Sequence, residues 1–288
     1  MLVSKFLFKA TVFVTFTALF FSSYTHESFV YQPRYTQNKT YRMTILYSCD
    51  CAAGLSRPSG EGSIKARNQR IAAIRSEVES QGGRLLLISG GGISSHLQGS
   101  RHSILSQPAY DAMAVSSYMF QYPLEHIKQL QQKTSTPFIS ANIFESETGK
   151  PVFNAYTLID VEDISIAVIG ITAQEYGEQQ RKNISGLDIT NPGKAISFLV
   201  PRLEQQANMT IVANHTGHLN LPDSDNKNRI DQIEGVDLVL EHTGNPLRDN
   251  AGLSESKSPP DCNKLLTRVD ILFRNGKIEQ LERQPIRL

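Results

Sequence analysis

RMTILYSCDCAAG, residues 42–54, is a short run rich in β-branched and aromatic side chains that stops at a loop of cysteine, aspartate and small residues. Such a run reads as a buried strand, and the loop marks its carboxyl end. Residues 84–92, RLLLISGGG, repeat the form: an apolar strand, then glycine. Between the two, Ile64, Ile71, Ile74 and Val78 recur at helical spacing, with Arg67, Arg70, Arg75 and Glu77 available for the wet side. Strand, helix, strand is the unit of an α/β layer architecture. Outward from it, residues 137–141 (PFISA), 165–171 (SIAVIGI), 209–213 (MTIVA) and 237–240 (DLVL) read as further strands. Residues 192–206 read as a helix opening on proline, where the missing N–H costs nothing. In residues 267–283, Asn275-Gly276 separates two alternating runs, the signature of a tight hairpin. Residues 254–260 (SESKSPP) have a loop composition.

Composition narrows the class. The 29 Lys and Arg offset 28 Asp and Glu and are scattered, so there is no electrostatic footprint for a nucleic acid. With 40% hydrophobic residues, 288 residues can form one large core, and collagen, coiled coil or a wholly disordered chain is excluded. At the start, Lys5 and Lys9 precede an uncharged, mostly apolar run at 10–21, shorter than the ~20 apolar residues of a spanning helix. Residues 1–25 are therefore expected to be an export signal. No clean small-x-small site follows, which leaves an uncleaved anchor in the inner membrane as the alternative. Residues 26–41 read as a linker and 42–288 as a single domain, placed in the periplasm or another extracytoplasmic space.

In open α/β sheets, ligands bind beyond the carboxyl ends of the strands. Those ends carry Cys49-Asp50-Cys51-Ala52, Ser89-Gly90-Gly91-Gly92, Asn214-His215 and Glu241-His242. The glycine run lacks a following G-K-[ST], so it reads as a chain turn and not as a phosphate cradle. His96, His102, His126 and His218 read as loop or surface residues.

The order of these segments resembles the N-terminal domain of the exported 5′-nucleotidase family, the metallophosphatases or calcineurin-like phosphoesterases. Residues 45–53 look like its I-L-H-T-N-D-x-H-G, 85–91 like L-L-L-D-A-G-D, and 110–123 like Y-D-A-x-x-x-G-N-H-E-F-D-Y-G. Residues 138–142, 168–172 and 212–217 are similar to F-L-S-A-N, V-I-G-L-T and V-L-S-H-L-G, and 263–271 echo the closing G-K-Y-L-G-R-L-D-L. The resemblance implies a sandwich of two mixed β-sheets flanked by helices. It also implies phosphoester hydrolysis by two metal ions sharing a carboxylate bridge.

Residue by residue, most of that equipment is replaced. Asp50 matches the first Asp ligand and His215 a late His, while His242 reaches the last motif only after a one-residue shift. Ala52 stands for a His, Gly91 for the bridging Asp, Ser117 for the Asn ligand and Tyr118 for the His facing the leaving group. Tyr118 could still donate a proton, but its neighbour Met119 cannot replace the acidic residue. A dinuclear centre is not expected from these residues, and a single Zn or Cu ion on Asp50, His215 and His242 stays open. Cys49 and Cys51 sit in the first ligand loop. They read either as partners for a disulfide with Cys262 or as a thiol redox or soft-metal site. A residual phosphoester hydrolase and a non-catalytic binding domain are the other readings. The small-molecule ligand or redox partner is not named by the sequence.

Overall fold

The computed structural model describes residues 35–48, 60–91, 108–174, 178–214, 230–241 and 265–288. By internal contacts the chain divides into Met1–Gln32, outside the described residues, and Pro33–Leu288.

The first strand, β1 (Thr40–Ser48), is central to the larger sheet. It pairs in parallel with β2 (Arg84–Ser89) and antiparallel with β11 (Leu265–Arg274). Beyond β2 come β3 (Ala112–Ala114) and β4 (Phe138–Ile139), and β12 (Lys277–Arg287) pairs with β11, giving the order β12-β11-β1-β2-β3-β4. The second sheet runs β10 (Leu238–Glu241), β9 (Met209–Asn214), β7 (Ile164–Ile171), β6 (Tyr156–Val161). A small ribbon joins β5 (Ile143–Glu145) to β8 (Leu187–Ile189). Both main sheets mix parallel and antiparallel pairs, as the family resemblance implies.

Strand periodicity divides the core into layers. Tyr41, Met43, Ile45 and Tyr47 of β1 face inward with Ile166 and Val168 of β7 and Ile271 and Phe273 of β11, forming the layer between the sheets. On the outer face of the larger sheet, Leu46, Leu85 and Leu87 meet Ile71, Ile74 and Val78 of α1 (Gly60–Ser80) and Ile127 of α2 (Leu124–Lys133). On the outer face of the second sheet, Ile169 and Val212 meet Ile196, Val200 and Leu203 of α4 (Pro192–Leu203). Each such buried side chain contributes roughly 1.5–3 kcal/mol. The Asn191 side chain caps α4 by accepting from Lys194 N at 3.0 Å, with proline at the start as read from sequence.

Two features differ from the sequence reading. Arg67 is not on the wet side: it is buried, because 67, 71, 74 and 78 fall on one helical stripe. Its guanidinium donates to Tyr110 Oη, and Ser48 Oγ donates to the same oxygen at 3.2 Å. His126 is exposed on α2, a surface residue as read from the sequence. The folded unit also reaches upstream of Arg42. Thr36 Oγ1, Lys39 Nζ and Tyr41 Oη all donate to the Asp163 carboxylate, at 2.8, 2.9 and 2.8 Å. Asp163 lies in the turn between β6 and β7. Asn38 N donates to Asn275 Oδ1 at 2.8 Å, in the turn between β11 and β12. The stretch read as the end of a linker thus straps a hairpin of one sheet to a hairpin of the other. Among the described residues no helix is long and apolar enough to cross a membrane.

Candidate functional site

Parallel registers bring the strand ends together. Ser48 is level with Ser89 and Ser89 with Met113 in one sheet; Ile171 is level with Asn214, and Asn214 with Glu241, in the other. The carboxyl ends of β1, β2 and β3 therefore open on one edge of their sheet, and those of β7, β9 and β10 on one edge of theirs. Tyr47 joins the two edges: its buried hydroxyl donates to the Asn214 carbonyl across the sandwich. Gly90 makes room for that ring, since a Cβ there would stand 2.9 Å from Tyr47 Cζ and 3.3 Å from Asn214 O.

Cys49, Asp50 and Cys51 follow β1, His215 follows β9 and His242 follows β10. These five residues, with Ala52, Gly92 and Cys262, lie outside the described residues. Among the described residues no group of three or more His, Cys, Asp or Glu could hold a metal ion.

Gly91 is described and is informative. Its φ is +96°, and a Cβ there would run into the Ala114 carbonyl oxygen and stand 2.8 Å from Ser116 N. Only glycine fits such a conformation this close to backbone. Read one residue on, with Gly91 as the glycine of the family's A-G-D, the bridging-carboxylate position is Gly92. In either register a glycine stands where the carboxylate would be.

The segment matching N-H-E forms a 3-10 turn, Ser117–Gln121. Ser117, Met119 and Phe120 are buried, whereas Tyr118 is 47% exposed. Alternation in the turn thus sends the tyrosine outward and the methionine into the core under α1 and α2. Asn183 of α3 (Glu178–Asn183) holds the turn by donating to Phe120 O at 2.9 Å.

Behind it lies a buried polar cluster that sequence reasoning missed. Thr172 donates from N to Asn142 Oδ1 at 2.9 Å and from Oγ1 to Val115 O at 2.5 Å. Asn142 Nδ2 donates to Thr172 O and Thr190 O at 2.8 and 2.9 Å. The S-A-N and G-I-T segments that carry these side chains were the available signal. Beside it the Ser116 hydroxyl is fully buried with no hydrogen-bond partner among the described residues. Ser116 replaces the glycine of the family's G-N-H-E.

No family model matches the chain. A 5′-nucleotidase of Vibrio cholerae is 33% identical over 192 residues, covering 63% of this chain and 35% of that protein. Protein UshA of Escherichia coli is 31% identical over 195 residues, 64% of this chain and 36% of its own. A 5′-nucleotidase of Vibrio vulnificus is 27% identical over 280 residues, covering 84% and 51%. Among solved structures, the calcineurin-like phosphoesterase YfkN of Bacillus subtilis superimposes with TM-score 0.66 at 15% identity, covering 86% of this chain and 91% of that one. The sulfate thiohydrolase SoxB of Thermus thermophilus gives 0.59 at 19% identity, covering 88% and 58%.

Sequence and fold relate the chain to the 5′-nucleotidase and metallophosphatase family. Its fold is that of the calcineurin-like phosphoesterases. It spans between about a third and a half of the length of these curated relatives.

Proposed function

We propose that this chain is an exported member of the family whose two-metal hydrolytic centre is lost, so that it is not an efficient phosphoesterase. The observation carrying the reading is the glycine pair at the end of β2, where Gly91 admits no side chain and Gly92 offers none. Two dications ~4 Å apart at an effective dielectric of ~20 repel by about 16 kcal/mol, and a shared carboxylate is what offsets this in a two-metal site. Ser117 and Tyr118 are weak or neutral replacements for the Asn and His, and Met119 is buried as core. The residues present therefore do not fit a bridged metal pair. Export rests on the basic and apolar start of the chain and on kinship with the nucleotidases; cleaved signal and inner-membrane anchor are the two forms it can take. The scattered charge supports no nucleic-acid partner.

The test is hydrolysis of nucleoside monophosphates by the full chain with added Mn or Zn, alongside Gly92→Asp. Neither protein is expected to turn over. The Gly92→Asp variant still lacks the ligands replaced at Ala52, Ser117 and Tyr118. Turnover by the unmodified chain at the level of Escherichia coli UshA, or its rescue by Gly92→Asp alone, would overturn the reading and support a retained phosphoester hydrolase.

A second reading is favoured by the chain order at the strand ends: Cys49-x-Cys51 follows β1, while His215 and His242 follow β9 and β10. It is a thiol redox or single soft-metal site, for Zn or Cu, with a small-molecule or protein redox partner. Alkylation of Cys51 faster in the folded than in the unfolded chain supports it. Thiols inert until denaturation would leave a non-catalytic binding domain.

A further inference from the structure

Among the described residues β12 ends the larger sheet, and every residue from Glu279 to Pro285 is exposed. Leu281, an apolar residue in the middle of this stretch, is 37% exposed. A strand of 11 residues with one unpaired edge offers its backbone groups to another strand.

The register fixes which groups are offered. Leu281, Glu282, Arg283, Gln284 and Pro285 face Ile271, Asp270, Val269, Arg268 and Thr267 without a break. Pro285 has no N–H and is tolerated in an edge strand where that position faces away from the ladder. Arg283 and Leu281 share its phase, so their N–H and C=O groups also point out of the sheet. On the side nearer the turn, the register shift at Leu272/Phe273 leaves Glu279 without a partner on β11.

We propose that the outer edge of β12 is a two-fold interface with a second copy of this chain, the two strands pairing antiparallel about Leu281. Charge selects both the occupant and the register. Centred on Leu281, the pairing sets Leu281 against its own copy, Glu279 against Arg283 of the other copy on both sides of the axis, and Gln280 against Glu282. Centred on Glu282 it would oppose two glutamates, centred on Arg283 two arginines, and centred on Gln280 it would oppose Arg283 and Lys277. Like charges directly opposite are destabilising and unlike charges stabilising, so one register stands out. A centre between residues would match an outward-pointing residue with an inward-pointing one. An isologous contact of this kind closes on itself as a dimer and joins two six-stranded sheets into one.

The experiment is sedimentation equilibrium of the full chain, of Glu279→Arg, of Arg283→Glu, and of the two variants mixed. The wild-type chain should sediment at twice the chain mass. Each variant alone should sediment at the chain mass, since each places like charges opposite one another. The equimolar mixture should recover the doubled mass as a heterodimer, because its arginines and glutamates are again complementary. Among the described residues the Glu279 side chain makes no hydrogen bond or ion pair that its replacement would break, and matched thermal melting keeps that arm interpretable. Arg283 also donates to Val239 O at 3.3 Å, so its variant is read with the same melting control. A monomeric wild-type chain, variants that associate like wild type, or a mixture that fails to associate would each overturn the proposal.

Discussion

The two ends of the sandwich hold together by opposite means. At the carboxyl ends of the strands, where the family keeps its ligands, the described residues are glycine, serine and tyrosine in close neutral packing: Gly90 under the Tyr47 ring, Gly91 against Ala114 and Ser116, Tyr47 bonded across to Asn214. At the other end a charged cluster closes the fold, with Lys39 within 2.5 Å of Glu162 and 2.9 Å of Asp163. Among the described residues, charge straps two hairpins together at one end, and neutral packing joins the sheets at the other. The difference teaches that the fold is closed by two kinds of contact. Its strand ends are held by close packing and hydrogen bonds that need no metal.

The comparison breaks first at Gly91. Gly91→Ala should cost about 3–5 kcal/mol, since a positive φ and a backbone clash add, and urea unfolding would measure it. Gly82→Ala has a positive φ but open space around it, and should cost only about 1 kcal/mol. Equal costs at the two positions would show that the packing of the strand-end edge is not tight. Tyr47→Phe should be milder, about 1–3 kcal/mol, because it leaves the buried Asn214 carbonyl short of a donor.

The smallest effect lies at the strapped end and appears as pH dependence. The Lys39 ammonium first, then the Thr36 and Tyr41 hydroxyls, hold the Asp163 carboxyl well below its ordinary value of 3.8. A folded-state pKa below the unfolded one adds stability that is complete above about that pH and fades as pH falls beneath it. Lys39 is the mirror image: the hydrogen bonds it donates to Glu162 and Asp163 raise it above its ordinary 10.5, so its contribution is complete below that pH and fades at higher pH. Both groups are solvent-exposed, so screening keeps the effect small. Asp163→Asn should lower the neutral plateau of a melting-temperature profile slightly, toward its acid value, and so flatten the acid limb. A steep acid limb in the variant would assign acid sensitivity to other carboxylates.

Much of this was legible in the sequence because the long elements carry clean patterns. The runs at 42–48, 84–89 and 165–171 and the Asn275-Gly276 turn became β1, β2, β7 and the β11–β12 hairpin, with Asn275 and Gly276 at φ 51° and 77°. What stayed hidden is short or ambiguous. β3 is three alanine and methionine residues defined by its neighbours, and α2 shows its stripe through Leu124, Ile127 and Leu130 alone within a polar run. The charge of Arg67 concealed a buried position that its spacing from Ile71 and Ile74 marks plainly. At the site, chemical identity showed which family positions had changed. It did not show that Gly91 is a steric necessity or that Tyr118 faces outward while Met119 is buried, because those depend on backbone geometry.

The central claim, that these residues no longer support a metal pair, is tested most directly by elemental analysis. The purified full chain would be saturated with Mn or Zn, passed through a desalting column and assayed for metal per chain. The account predicts at most one equivalent retained per chain. Two equivalents retained per chain would contradict it.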